Sequence, residues 1–237
     1  MNRLMNQHVL AAAVAAALLP TVAMAHNQGA RVSVGGTYQH LAIGQAAGNL
    51  PAITFGISQD AGGIGIRARI SLPRGAGAEL DSGSVRLLAY PRNRVSPYLT
   101  VGGLSLSGLD GVAVTTDYSV NPTSGAITPV AVTAPVAPVG VTMGFVFAGL
   151  HAAIPVNSAL SLVGHVAIGA GLGGSATGLP PAGGAHSDLA RAYGVAMRYR
   201  LPDGPVLSVG YSQESLPMRG SVLKVGGIEA SVGRRFR

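Results

Sequence analysis

The chain has 237 residues, with 16 lysines and arginines against nine acidic residues and a formal net charge of +7 at pH 7. Only 11% of its residues are charged and 48% are hydrophobic, whereas a soluble domain carries about a quarter charged residues, so the composition argues against an ordinary water-soluble domain. The absence of cysteine excludes a disulfide framework and a thiolate metal site or nucleophile.

The first 25 residues have the pattern of a bacterial secretory signal peptide. Arg3 is followed by the apolar run Val9–Leu19, and Ala23-Met24-Ala25 forms a small-x-small cleavage site before His26. The run is too short to cross a bilayer, which takes roughly 20 residues in a helix. We therefore expect a cleaved signal over residues 1–25 and one domain over 26–237. Export, together with the scattered positions of the cations, also argues against a nucleic-acid partner.

The exported part divides into short segments in which apolar and polar residues alternate. Alternation with a period of two is typical of a β-strand whose two faces meet different surroundings. Most segments are close to the roughly 9–11 residues that a tilted strand needs to cross a bilayer. The ten predicted strands are Ala30–His40, Pro51–Ser58, Gly63–Leu72, Ser84–Tyr90, Pro97–Leu106, Val139–Leu150, Ala159–Ala170, Leu189–Leu201, Pro205–Glu214 and Val222–Phe236.

The connections between these strands alternate between short and long. Short turns are predicted at 59–62, 92–96, 155–157 and 202–204, and longer loops at 41–50, 73–83, 108–138, 172–188 and 215–221. Short periplasmic turns and long outer loops are typical of outer-membrane barrels, and they place both termini on the periplasmic side. The segment 108–138 is interpreted as a surface loop; an extra strand pair there would make twelve strands, and eight is the least favoured count.

Arginine is expected to face the lumen, because at the lipid midplane it would cost about 2–4 kcal/mol. In the third strand Ile64, Ile66 and Ile70 share the face opposite Arg67 and Arg69. The predicted lumen residues are Arg67, Arg69, Arg86, His165, Arg198, Arg200 and Glu229. The favoured interpretation is that carboxylates and water satisfy these cations, and the alternative is a water-filled passage that prefers anions.

Aromatic residues are predicted on the lipid faces, mostly near strand ends, as an interface belt requires. The residues assigned to this belt are Tyr38, Tyr193, Tyr199, Tyr211 and Phe236.

Patterns that could indicate catalysis or cofactor binding are weak. Residues 169–174 match GxGxxG, but no helix is predicted after them, as a dinucleotide site requires. His186-Ser187-Asp188 holds triad residue types consecutively, and turn chemistry is the favoured interpretation. His40 and Glu214 are a weak candidate pair at the outer rim. The histidines show no metal-ligand spacing, so we expect no metal, no cofactor and no enzymatic activity.

The chain resembles the opacity/OmpA-like porin superfamily and, distantly, the YfaZ-type barrels. The resemblance lies in the signal peptide, Ser96–Gly103, Tyr193–Leu201, Val206–Tyr211 and the closing strand. It implies insertion by the barrel-assembly machinery, which reads a C-terminal strand that usually ends in an aromatic residue. Here Phe236 is followed by Arg237, so this chain departs from that pattern.

The predicted fold is therefore all-β, a closed antiparallel transmembrane barrel of about ten strands in the outer membrane of a Gram-negative bacterium, surrounded by outer-membrane lipid. The predicted function is structural, or that of a narrow pore with an Arg-lined, anion-preferring lumen. Two alternatives remain open. One is a surface-interaction protein that binds a ligand through its loops, and the other is a lipid- or peptide-modifying barrel enzyme.

Overall fold

Ten antiparallel strands close into a barrel in the computed structural model, which describes residues 30–44, 46–61, 63–75, 77–120, 127–178, 189–202, 204–218 and 221–236. The predicted signal segment 1–25 lies outside these residues. The strands are β1 Arg31–Ile43, β2 Ala46–Ala61, β3 Ile64–Gly75, β4 Ala78–Ala89, β5 Val95–Val120, β6 Ile127–Pro155, β7 Leu160–Thr177, β8 Ala190–Arg200, β9 Val206–Met218 and β10 Ser221–Arg235.

Each strand pairs with the next in the chain, and β1 pairs with β10 from Arg31 opposite Arg235 to Ile43 opposite Leu223. This last pairing closes the sheet, so the predicted barrel class and the count of ten strands are confirmed. We call the end that holds Arg31 and Arg235 the terminal end, and the opposite end the hairpin end. The four short predicted turns all lie at the terminal end. Within the described residues, no helix is long and apolar enough to cross a membrane.

Three of the predicted long loops are instead largely strand, with only two residues between one strand and the next. β1 runs to Ile43 and β2 begins at Ala46, β3 and β4 are separated only by residues 76–77, and β9 and β10 by residues 219–220. The strands continue because their inward side chains still have neighbours to pack against. Leu41, Ile43 and Leu50 are fully buried inside the hairpin end of the barrel, which gives the alternation a physical reason to persist.

The segment 108–138 forms one long hairpin, so the twelve-strand alternative is wrong. β5 and β6 pair along the barrel wall up to Leu106, and the register shifts on either side of Leu109. Gly108 has a φ of 73° at this irregularity, a conformation that glycine adopts without strain. Beyond it, pairing continues from Gly111 opposite Val136 to Val120 opposite Ile127. Over that stretch the hairpin meets the rest of the sheet only through Gly111 opposite Ala46, in the part of the chain that the structure describes.

The barrel wall separates an apolar outer surface from an interior of two kinds. Outward side chains are apolar and exposed, among them Val34, Ile53 and Ile228. In the hairpin half, most inward side chains belong to a contiguous apolar core, whose members include Phe145, Phe147, Leu41, Ile43, Leu50, Leu80, Leu106, Leu216 and Leu223. In the terminal half, the inward side chains are mostly polar or charged. The interior therefore changes character halfway along the barrel.

Candidate functional site

The terminal half of the barrel contains a cavity of about 320 Å³. Its basic lining residues are six arginines and two histidines, and its acidic ones are two carboxylates: Arg31, Arg67, Arg69, Arg86, Arg198, Arg235, His151, His165, Asp60 and Glu229. Inward serines and glycines of β1, β2, β9 and β10 complete the wall and leave the space open. Six guanidinium groups against two carboxylates leave an excess of four positive charges when the histidines are neutral.

The cavity is bounded on one side by the apolar core and reaches the terminal end on the other. Arg31 and Arg235 are the first residue of β1 and the last residue of β10 and are register partners. Toward the hairpin end, the inward positions of β1 change from Thr37 and Gln39 to Leu41. Burying an ion among apolar side chains costs several kcal/mol or more unless it is paired, so the structure has a polar chamber with an apolar floor.

Six of the seven residues assigned to the lumen line this cavity: Arg67, Arg69, Arg86, His165, Arg198 and Glu229. Arg200 does not line the cavity. Its side chain is exposed at the terminal end of β8, two residues beyond Arg198. The lumen assignment omitted Arg31, Asp60, His151 and Arg235. Asp60 and His151 lie just beyond the predicted ends of their strands, at Ser58 and Leu150. If the alternation of inward and outward side chains is extended past those ends, it places both Asp60 and His151 in the lumen.

Arg69 is the lumen arginine with a carboxylate partner in direct contact. Its Nη2 lies 2.6 Å from Oε2 of Glu229, across the barrel from β3 to β10. The Thr54 hydroxyl donates to the other Glu229 oxygen at 3.5 Å. This contact matches the favoured sequence interpretation, in which Glu229 satisfies one of the lumen cations.

Arg86 is held by neutral groups. Its Nε donates to the Thr100 hydroxyl at 3.1 Å, and its guanidinium carbon lies 4.2 Å from the centroid of the Tyr98 ring. The Tyr98 ring in turn contacts His165 edge-on, with ring centroids 6.4 Å apart. Stacking on an aromatic face orients a guanidinium group without neutralising it.

Arg67 contacts a histidine across the barrel. The Nη1 of Arg67 lies 3.2 Å from Nε2 of His151. Since arginine can only donate, Nε2 accepts, and the neutral imidazole carries its proton on Nδ1. The His151 side chain is 4% exposed, and its Nδ1 has no hydrogen-bond partner among the described residues. The cavity wall thus contains a buried polar atom that the described residues leave without a hydrogen-bond partner.

The five aromatic residues assigned to the lipid face are all exposed on the outside of the barrel. Tyr199 and Phe236 lie toward the terminal end. Tyr38 and Tyr211 lie farther along, both opposite Ile228. The hydroxyls of Tyr193 and Tyr211 both donate to Oε1 of Gln213, at 2.8 and 2.9 Å, so this part of the belt carries a fixed polar group.

The sequence patterns considered for catalysis do not converge. His40 is exposed on the outside, where its Nδ1 lies 2.9 Å from Oδ1 of Asn49. Glu214 projects from the same face of β9 as the buried Leu216, so His40 and Glu214 lie on opposite sides of the barrel wall. Residues 169–174 are part of β7, which continues as strand to Thr177, and 186–188 lie outside the described residues. No group of three His, Asp or Glu side chains in the described ranges is placed to hold a metal ion.

Comparison with known proteins shows the fold alone. No family model and no curated protein matches the chain. Among solved structures, the outer-membrane protease OmpT of Escherichia coli is 9% identical, with 88% of this chain and 97% of that chain covered and a TM-score of 0.53. The translocator domain of autotransporter NalP from Neisseria meningitidis is 15% identical over 95% and 98% of the two chains, with a TM-score of 0.43. The Yersinia pestis attachment invasion locus protein Ail, in complex with a heparin analogue, is 12% identical over 88% and 99%, with a TM-score of 0.36. The likeness to OmpT supports an outer-membrane β-barrel fold.

Proposed function

We propose that this chain is an outer-membrane barrel that admits anions from the periplasm into a blind cationic chamber. The observation that carries the proposal is the lining of the cavity, in which six arginines face only two carboxylates. A cleft lined by one sign of charge with low-dielectric walls concentrates ions of the opposite sign. The apolar core in the hairpin half stands between the chamber and the other end of the barrel, so the Arg-lined passage is a chamber rather than a continuous pore.

The location is part of the same proposal. An exposed apolar outer surface and a closed sheet are the features that a bilayer-spanning barrel requires. We place the barrel in the outer membrane of a Gram-negative bacterium, with the terminal end toward the periplasm, after insertion by the barrel-assembly machinery. The specific kinship with the opacity/OmpA-like superfamily remains a proposal that rests on the sequence resemblance.

Charged thiol reagents test the chamber directly, because the native chain has no cysteine to react with them. Ser208→Cys introduces one thiol at the cavity wall, and Ser158→Cys introduces one in the exposed turn between β6 and β7. For each variant in refolded protein, the quantity measured is the rate of modification by an anionic methanethiosulfonate divided by the rate with a cationic one. We expect this ratio to be at least tenfold higher for Ser208→Cys than for Ser158→Cys. Equal reagent preference at the two positions would contradict an anion-preferring chamber.

The long hairpin of β5 and β6 supports a second candidate function, which is interaction at the cell surface. Ten residue pairs, from Gly111 opposite Val136 to Val120 opposite Ile127, continue beyond the barrel wall. At about 3.3 Å per residue, such a ladder extends roughly 30 Å. We propose, as this second function, that the hairpin is the part of the barrel that binds a ligand at the cell surface. For the third alternative, a barrel enzyme, the described residues include no pair of candidate catalytic side chains that lie together.

A further inference from the structure

The cavity wall places two pairs of basic residues directly opposite one another. Arg67 on β3 is the register partner of Arg86 on β4, and His151 on β6 is the register partner of His165 on β7. The two arginines are like charges at directly opposite positions, an arrangement that destabilises a sheet. The charge of Arg198 repels that of Arg67. We call the five residues Arg67, Arg86, His151, His165 and Arg198 the basic cluster.

Among the described residues, no carboxylate forms an ion pair with the basic cluster. The described lumen residues contain one ion pair, and it neutralises Arg69 through Glu229. No ion pair links Arg67, Arg86 or Arg198 to a carboxylate of the described chain. Asp60, Glu229 and the inward, buried Glu214 act on these arginines only at longer range. The contacts that hold Arg67 and Arg86 in place are to His151, Thr100 and Tyr98, all of which leave the guanidinium charge intact.

The unpartnered Nδ1 of His151 points to the same conclusion from a different observation. A buried donor without an acceptor costs about 1–3 kcal/mol. Because Arg67 occupies Nε2, only a group from outside the described chain can accept from Nδ1. An oxyanion bound by Arg67 accepts from guanidinium and imidazole N–H groups alike, and it reaches the buried Nδ1 once the His151 ring rotates toward the cavity.

We propose that the basic cluster is a binding site for a small, doubly charged oxyanion of the phosphate or sulfate type. Arg67 and Arg198 are its principal ligands, His151 contributes its free N–H, and Arg86 supplies a fixed positive charge from its position over Tyr98. Planar guanidinium groups bind such oxygens through paired hydrogen bonds. This inference rests on the anion-admitting chamber and adds to it a specific site.

Isothermal titration calorimetry of the refolded full chain in detergent tests the site, with inorganic phosphate and sulfate as probes at constant ionic strength. We expect saturable binding by the native chain, and at least tenfold weaker binding by Arg67→Gln and by Arg198→Gln separately. Arg74→Gln removes one positive charge from the exposed β3–β4 hairpin, where Arg74 pairs with Asp81 at 2.7 Å. It should leave the affinity unchanged.

Arg69→Gln separates a specific site from the general charge of the chamber, because Arg69 is already paired with Glu229. We expect it to weaken binding less than threefold. If Arg69→Gln and Arg67→Gln weaken binding equally, the chamber acts through its total charge and the specific site is wrong, while the chamber itself stands. Absence of saturable binding of either probe would also overturn the site. The thiol-reagent preference then reports independently whether the chamber admits anions.

Discussion

Glycines at inward positions leave room for the aromatic rings that fill the barrel. A Cβ atom at Gly102 would lie 2.5 Å from Cζ of Phe145, and one at Gly194 would lie 2.5 Å from Cε1 of His165. Neither side chain could then keep its place against the neighbouring strand. The many glycines of the chain therefore include positions that are required by packing, both in the apolar core and in the basic cluster.

Gly102→Ala is predicted to destabilise the barrel by about 1–3 kcal/mol, because its Cβ would meet both Phe145 and the backbone oxygen of Gly83, at 2.7 Å. Gly36→Ala is the matched control on the outer face, since its Cβ would have only an ordinary contact with the Ala52 oxygen at 3.9 Å. Urea unfolding in detergent measures both. Equal free energies of unfolding for the two variants would show that the close approach at Gly102 does not matter.

Single residues also show the limits of sequence reasoning. Alternation and the cost of arginine in lipid were sufficient to assign Arg198 to the interior, because its neighbours Met197 and Tyr199 are apolar. The same argument could not show that Arg69 contacts Glu229 while Arg67 contacts His151. Those contacts cross the barrel between strands far apart in sequence, so they depend on barrel diameter and side-chain conformation rather than on any local pattern.

At the level of the strands, the sequence predicted where each one lies better than where it ends. All ten predicted strands overlap the observed ones. Polar and glycine residues suggested loops at 41–50 and 73–83. In the structure these segments are largely strand, with only two residues between β1 and β2 and between β3 and β4. The inward residues Leu41, Leu50 and Leu80 explain the difference, because each packs into the apolar core from a segment that reads locally as a loop.

The β5–β6 hairpin is predicted to be dispensable for folding. Deleting residues 111–136 and joining Asp110 to Ala137 with a short glycine linker leaves the wall pairing from Val95 to Leu106 intact. We expect the deletion variant to refold and to keep its heat-modifiable migration on gels. Cells displaying it should lose adherence to host or neighbouring cells, relative to cells displaying the full chain, if the hairpin is the surface-binding element. Unchanged adherence contradicts that second function, and failure to refold contradicts the independence of the hairpin.

The whole molecule combines an apolar exterior with an interior divided into a charged chamber and an apolar core. The low charge fraction of the sequence is explained by this arrangement, because both the outer surface and half of the interior are apolar. Eight of the 25 charged residues, six arginines and two carboxylates, line the chamber inside the terminal half. The alternating segments, together with the composition, predicted a barrel, but they could not predict that the lumen changes from polar to apolar along its length.

The central claim is that the chamber is closed toward the hairpin end, and single-channel conductance in a planar bilayer tests it most directly. Phe145→Ser combined with Phe147→Ser is the positive control, since it removes two buried rings from the apolar core. We expect no steady conductance steps from the native refolded barrel and anion-selective steps from the double variant. Steady, anion-selective steps from the native barrel would contradict the closed chamber and show a continuous Arg-lined pore.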